Sequence, residues 1–214
     1  KFTNVYRSLD RVSQYMIRDV CYGQQTRTTA DAIFQIVAFR MFSRISTWEN
    51  LTTLLGHAPT LQDLVDGSFE QALNHLRSTG EPIYTGSFII CANDAFERGA
   101  KHLNHVSLFQ QMFLVDDMAG KILSAKSLRE VYEILHRYPL YGDFMSYQTA
   151  LDLNYSEYIN FSENEFTVPG PGAMRGINKL FKSLGNYTPS EIVHWMVEHQ
   201  EEEFKRLGLT FSGL

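Results

Sequence analysis

Long apolar runs are missing from this chain. The longest, such as SFIICA at residues 87 to 92, fall far short of the roughly 18 residues that a membrane span needs, so neither a spanning segment nor a signal peptide is expected. A basic excess is missing too. Nineteen Lys and Arg against 24 Asp and Glu give a net charge of -5, so no global field invites nucleic acid, and any polyanion must be held by a local patch. Cysteine is scarce: Cys21 and Cys91 lack CxxC spacing and sit among apolar residues, which predicts buried free thiols rather than a disulfide. That favours a reducing, intracellular setting, nuclear in a eukaryote and cytoplasmic in a bacterium or virus. No GxxxxGK[ST] phosphate loop occurs, and the seven histidines, His102 and His105 among them, come with no HExxH or Cys/His set. No cofactor and no metal are expected. There is also no repeat of fixed period and no low-complexity linker.

What the chain has is hydrophobic and aromatic content. Over 214 residues, 44% hydrophobic with 15 Phe, 11 Tyr and 2 Trp, it can bury a real core. The length fits one domain, at most of two lobes. The abrupt ends, KFTNVYR and FSGL, suggest a natural chain that extends beyond both.

Helical periodicity runs almost throughout. Val5, Leu9, Val12, Tyr15, Met16 and Val20 recur at three- and four-residue steps, predicting an amphipathic helix from Thr3 to Tyr22 that Gly23 stops. Residues 28 to 44 read as a buried central helix. Residues 46 to 56 begin with a Ser46 and Glu49 capping box and close on Gly56. A helical stretch from Thr60 to Gly80 should break near Gly67. Residues 81 to 92 are the best extended stretch, a short strand near 83–91 or a buried loop. Helix then returns, with Ser127 and Glu130 capping a segment that ends before Pro139. The expected class is all-α, a single helical domain over 1–214.

Residues 128 to 158 form a helix, a tight connection through Pro139 and Gly142, and a second helix. This is either an ordinary αα-corner or a helix-hairpin-helix, in which Gly142 would let backbone amides approach a phosphate. The acidic cluster of Glu163, Asn164 and Glu165 follows, and then FTVPGPGAMRGI.

The blocks KFTNVYRSLDRVSQY, YGDFMSYQTALDLNYSEY, NEFTVPGPGAMRGINKLF and IVHWMVEHQEEEFKRLGL resemble the helical domain associated with 5-hydroxymethyluracil DNA kinases, whose relatives include the glutamyl- and putrescinyl-thymine pyrophosphorylases. The resemblance spans nearly the whole chain. It implies hypermodification of thymine in DNA on a fold similar to helix-hairpin-helix DNA glycosylases, with DNA, double-stranded and with one base flipped, as the partner. The kinase half, with its phosphate loop, is absent, so ATP is not implied; a partner kinase or other modification enzyme is.

Glycosylase-like chemistry needs a carboxylate to stabilise cationic charge or activate a nucleophile at an extruded base. Glu165 is the first candidate and Asp152 the second. Tyr147, Gln148 and Asn154 are candidates to contact the base edge. Gly142, Gly170 and Gly172 would clear side chains from backbone that approaches a phosphate. Arg175 and Lys179 with Lys182, and Arg7 with Arg11 and Arg18, would form positive ridges for the DNA backbone. Structural alternatives stand beside each: Glu165 as a loop acid or the cap of the following helix, Asp152 as a buried partner of Arg7 or Arg11, and the basic residues as solvated, salt-bridged faces. Three function classes follow: an enzyme of DNA-base modification, a non-catalytic DNA-targeting module for a partner enzyme, and, more weakly, a helical scaffold unrelated to DNA.

Overall fold

A run of eleven residues, Ala32 to Phe42, carries almost no polar relief, and every one of them is buried. In the computed structural model, which describes residues 6–23, 27–86 and 94–210, they form most of helix α2 (Thr29–Phe42) at the centre of the fold. Thr28 and Asp31 cap its start reciprocally, each side chain taking the other's backbone N–H. Phe34 projects from α2 into a cluster of edge-on rings, with Phe69 and Phe109 at 5.7 Å and Phe113 at 5.3 Å between centroids. Such pairs add about 0.5–1.5 kcal/mol each beyond the area they bury.

All the regular structure among the described residues is helical. A 3₁₀ turn (Arg7–Leu9) leads to α1 (Arg11–Tyr15), capped by Asp10 and continued by a π-helical segment (Met16–Cys21). After α2 come α3 (Ile45–Leu55), α4 (Leu61–Asp66), α5 (Ser68–Ser78) and α6 (Lys101–Phe109), the last continued by a second π-helical segment (Gln110–Val115). Helices α7 (Met118–Ser124), α8 (Leu128–His136) and α9 (Asp143–Asn154) complete the first unit. Helices α10 (Pro171–Leu180), α11 (Pro189–Glu198) and α12 (Gln200–Arg206) follow.

The long first helix expected over Thr3 to Tyr22 is thus three short pieces. Asp10 accepts from the amides of Val12 and Ser13 and so starts a new helix inside the predicted one. Gly23 ends the segment as expected, since a Cβ there would lie 2.3 Å from the Asp19 carbonyl oxygen. The predicted break at Gly67 is present: its φ of 82° lies in the left-handed region, where only glycine is unstrained, and it ends α4 and starts α5. Ile83 to Gly86 are irregular, and the rest of the expected strand, Cys91 included, lies outside the described residues. Cys21 is a free, buried thiol, its pKa pushed up to about 12 chiefly by burial.

The chain divides into two compact units, Lys1–Phe161 and Ser162–Leu214. In the first, α2 packs against α9, the first π-helical segment and α7, while α8 packs closely on α9. In the second, α10 packs on α11 and α11 on α12, around Phe166, Ile177 and Ile192. No helix among the described residues is long and apolar enough to cross a membrane.

His105 on α6 makes the first unit sensitive to acid. It is fully buried, with Nδ1 2.8 Å from the Tyr84 hydroxyl. Burial first, then the nearby charges of Lys101 and His102, lower its pKa from 6.5 to about 3. Between those values the unfolded chain binds the proton and the folded chain does not. Stability should therefore fall as pH drops through this window, by up to about 1.4 kcal/mol per pH unit. Urea unfolding at pH 7 and pH 4.5 should show the loss, and His105→Gln should flatten it.

Candidate functional site

A fully buried ion pair in the first unit joins residues far apart in sequence. Arg40 on α2 makes a two-pronged ion pair with Asp152 on α9: Nε donates to Oδ2, and Nη2 donates to Oδ1 at 2.6 Å. Both side chains are 1% exposed. Asp152 therefore faces inward, and its partner is Arg40 rather than Arg7 or Arg11. Tyr141, 2% exposed, lies within reach of both charges, and burial raises the pKa of its phenol. The pair bolts α9 to the central helix. A carboxylate engaged in this way can neither take a proton from a substrate nor meet one.

The rest of α9 follows from that anchoring. Tyr147 and Gln148 are half-buried and both make contacts. Asn154 closes the loop beyond the helix, its Nδ2 donating to the Phe161 carbonyl at 2.9 Å and its Oδ1 accepting from the Phe161 amide at 2.7 Å. Both ends of that amide are used, so it has little left for a base edge.

At the other end of α9, Gly142 is the cap residue and a side chain there would meet open space. It does not supply the turn's unusual backbone; Leu140, at φ 72°, does. Asp143 follows at once, accepting from the Tyr132 hydroxyl at 3.0 Å and paired with His136 at 2.8 Å. Those two hydrogen bonds, Tyr132's first, hold its carboxyl below the usual range. A permanent negative charge thus stands where the hairpin was expected to welcome a phosphate, and it opposes one.

In the second unit, Glu165 lies exposed in the bend before the Pro-Gly segment. Among the described residues its carboxylate has no hydrogen-bond or ion-pair partner. It does not cap α10: Gly170 occupies that position with extended backbone, Pro171 is the first helical residue, and no side chain closes the end. A Cβ at Gly172 would meet nothing within 4 Å. Arg175 and Lys179 are exposed on α10 and, among the described residues, enter no ion pair. Lys182 does not extend their ridge, because Phe181 turns the chain out of the helix at φ -110°, ψ 130°.

The amino-terminal ridge also breaks up. Arg7 sits in the 3₁₀ turn, Arg11 opens α1, and Arg18 falls in the π-helical segment, where Asp19 neutralises it through Nη2 at 2.6 Å. Arg11 instead lines a cleft of about 380 Å³ with Arg44, Ser46, Glu49 and neighbours. Neither Arg40 nor Arg44 stood out in the sequence. Arg40 lies within an apolar run, and that is the one signal that it needed a buried counter-charge.

The chain matches the family described as 5-hmdU DNA kinase, helical domain, from residue 1 to residue 214. It belongs to that family. A protein of Bacillus phage SP10 named 5-hmdU DNA kinase is 28% identical to this helical domain over 231 aligned residues. The alignment covers 99% of the chain and 35% of that relative, so the helical domain spans about a third of the relative's length. No solved structure matches it. Membership extends over both compact units, so the segment bearing Glu165 and α10 belongs to the helical domain as much as the Arg40–Asp152 core does.

Proposed function

We propose that this helical domain is a DNA-base modification domain that acts on thymine or 5-hydroxymethyluracil in double-stranded DNA, by a glycosylase-like mechanism in which the base is flipped out. The match to the helical domain of 5-hmdU DNA kinases over residues 1–214 carries this reading. Local features of the second unit support it: an uncapped α10 start built from Gly170, Pro171 and Gly172, two exposed cations on the same helix, and a carboxylate at Glu165 with no partner among the described residues. Backbone amides and cations of this kind hold phosphates, and a free carboxylate is what a base-modifying site uses to stabilise charge or move a proton. Tyr147 and Gln148 remain the candidates for contact with the base.

One observation favours a second reading, a non-catalytic module that targets a partner kinase or other modification enzyme to DNA. Of the two carboxylates proposed for chemistry, Asp152 is spent in the core on Arg40. Catalysis within this chain then rests on Glu165 alone. Mass spectrometry of nucleosides from duplexes incubated with the protein tests both readings, with thymine and 5-hydroxymethyluracil substrates compared. An altered or released base is the expected result. Unaltered nucleosides from DNA that the protein demonstrably binds support the targeting module, and absence of binding at low salt removes both readings.

A further inference from the structure

The capping box that the sequence offers at Ser46 and Glu49 is not formed. Helix α3 has Arg44 in its cap position at φ -138°, ψ 114°, with no side chain closing the end, so Glu49 lies a full turn inside the helix. Its carboxylate is exposed and, among the described residues, enters no hydrogen bond or ion pair. It borders a cleft of about 570 Å³ lined from α1, the first π-helical segment and α3, with Tyr15, Arg18, Asp19 and Trp48 among the other lining residues. Arg18 is already paired with Asp19 through Nη2 at 2.6 Å, which leaves Glu49 as the one uncompensated charge among the residues lining the cleft.

Two aromatic rings line the same cleft, and the central helix holds both. Phe39 on α2, 1% exposed, stacks on the Tyr15 ring at 5.7 Å and 18° and meets the Trp48 ring edge-on at 5.7 Å and 79°. Trp48 contributes the decisive observation. The residue is only 4% exposed, yet its indole Nε1–H has no hydrogen-bond acceptor among the described residues, and it is not one of the side-chain atoms closed to solvent. Because Trp48 lines the cleft, that N–H opens there. Indole N–H groups at buried positions usually have a partner, and this one is left for a group that enters the cleft. The half-buried Tyr15 hydroxyl is a second donor with no hydrogen bond among the described residues. Burial first, then the nearby charges of Glu49 and Asp19, push its pKa up to about 12, so it keeps its proton at neutral pH.

We infer that this cleft binds a nucleobase by its lactam edge, a ring C=O beside a ring N–H as in thymine and uracil, with Trp48 Nε1–H donating to the carbonyl oxygen and Glu49 accepting from the ring N–H. A planar heterocycle suits an aromatic-lined cleft, and its edge is read by paired donor and acceptor groups. A donor beside a carboxylate selects that edge: cytosine would set the lone pair of its N3 against Glu49, and a phosphate would meet the negative charge of the cleft. Neither Tyr147 nor Gln148 lines the cleft, so contact with a base here comes from α1 and α3 instead of α9. A flipped base of DNA and a free nucleoside present the same edge. The first source rests on the function proposed above; the second does not.

Two NMR titrations of the full chain test the site and separate these sources. The chain has two tryptophans, Trp48 and Trp195, so the indole N–H resonances to follow are two. In the first titration, thymidine should move the Trp48 resonance and leave that of Trp195 in place. N3-methylthymidine, which lacks the ring N–H, should bind about 10-fold or more weakly. Glu49→Ala, at an exposed position that the fold tolerates, should weaken thymidine by a similar factor and N3-methylthymidine by no more than about 2-fold. In the second titration, a duplex carrying one 5-hydroxymethyluracil is added. Movement of the Trp48 resonance with the duplex assigns the site to a base flipped from DNA, and movement with thymidine alone assigns it to a free nucleoside. A duplex that fails to bind at low salt would remove the proposed function and leave the thymidine titration to decide. A Trp48 resonance that moves with neither thymidine nor bound duplex, or equal affinity for thymidine and N3-methylthymidine, would overturn the inference.

Discussion

Asp152→Asn should destabilise the protein by about 3–5 kcal/mol, the cost of leaving one partner of a buried ion pair uncompensated. The magnitude follows from the geometry. Arg40 and Asp152 are each 1% exposed, so neither can turn to solvent when the other is removed. Asparagine can still accept one hydrogen bond from the guanidinium, but it cannot neutralise the charge. Set against the roughly 5–15 kcal/mol by which domains of this size are stable, the loss should appear as a large drop in the urea midpoint. Arg40→Met should cost a similar amount. The double variant Arg40→Met, Asp152→Leu should cost less than either single change, because it removes both charges and fills the space with apolar atoms. A change under about 1 kcal/mol in Asp152→Asn would contradict the structural role and return Asp152 to the list of groups free to do chemistry.

That pair also marks the limit of what the chain reveals without its fold. The apolar content of α2, the stop at Gly56, the break at Gly67 and the Ser127 cap were all legible, because each depends on residues within one or two helical turns. Even so, the return half of the Ser127 box differs, with Glu130 accepting from the Lys126 amide at 2.6 Å. The Ser46 box failed for a reason equally local but invisible in residue types: the left-handed turn at Ser43 ends α2 and puts the cap of α3 at Arg44, two positions before Ser46. The two π-helical segments leave no periodic signature that separates them from α-helix, and the first of them undoes the step-counting behind the Arg7, Arg11 and Arg18 ridge. Asp152 and Arg40 lie 112 residues apart, and no pattern along the chain links them. For the candidate residues the chain gave their places on the elements but not what surrounds them. Glu165 and the Pro-Gly segment stand open as read, whereas Asp152 and Asn154 are consumed by the fold and Gly142 is shadowed by Asp143.

Glu165→Gln should leave both stability and DNA affinity nearly unchanged while lowering product formation by about 10²–10⁴-fold, the range over which a positioned acid or base acts. Stability should hold because the side chain is exposed and, among the described residues, hydrogen-bonds to nothing; substitutions at such positions usually stay within about 0.5 kcal/mol. Affinity should hold because a carboxylate repels phosphate, so its removal cannot weaken electrostatic binding. Glutamine keeps the size and the carbonyl oxygen but can neither carry the charge nor exchange the proton. Any loss of turnover therefore reports chemistry. The comparison with Asp152→Asn sharpens this, since that variant should lose stability yet retain turnover per folded molecule. Equal, measurable turnover in Glu165→Gln and wild type would remove Glu165 from the chemistry and move it to a group other than the two candidate carboxylates, whereas a wild type that binds DNA but turns nothing over would leave the helical domain holding DNA for a partner that performs the reaction.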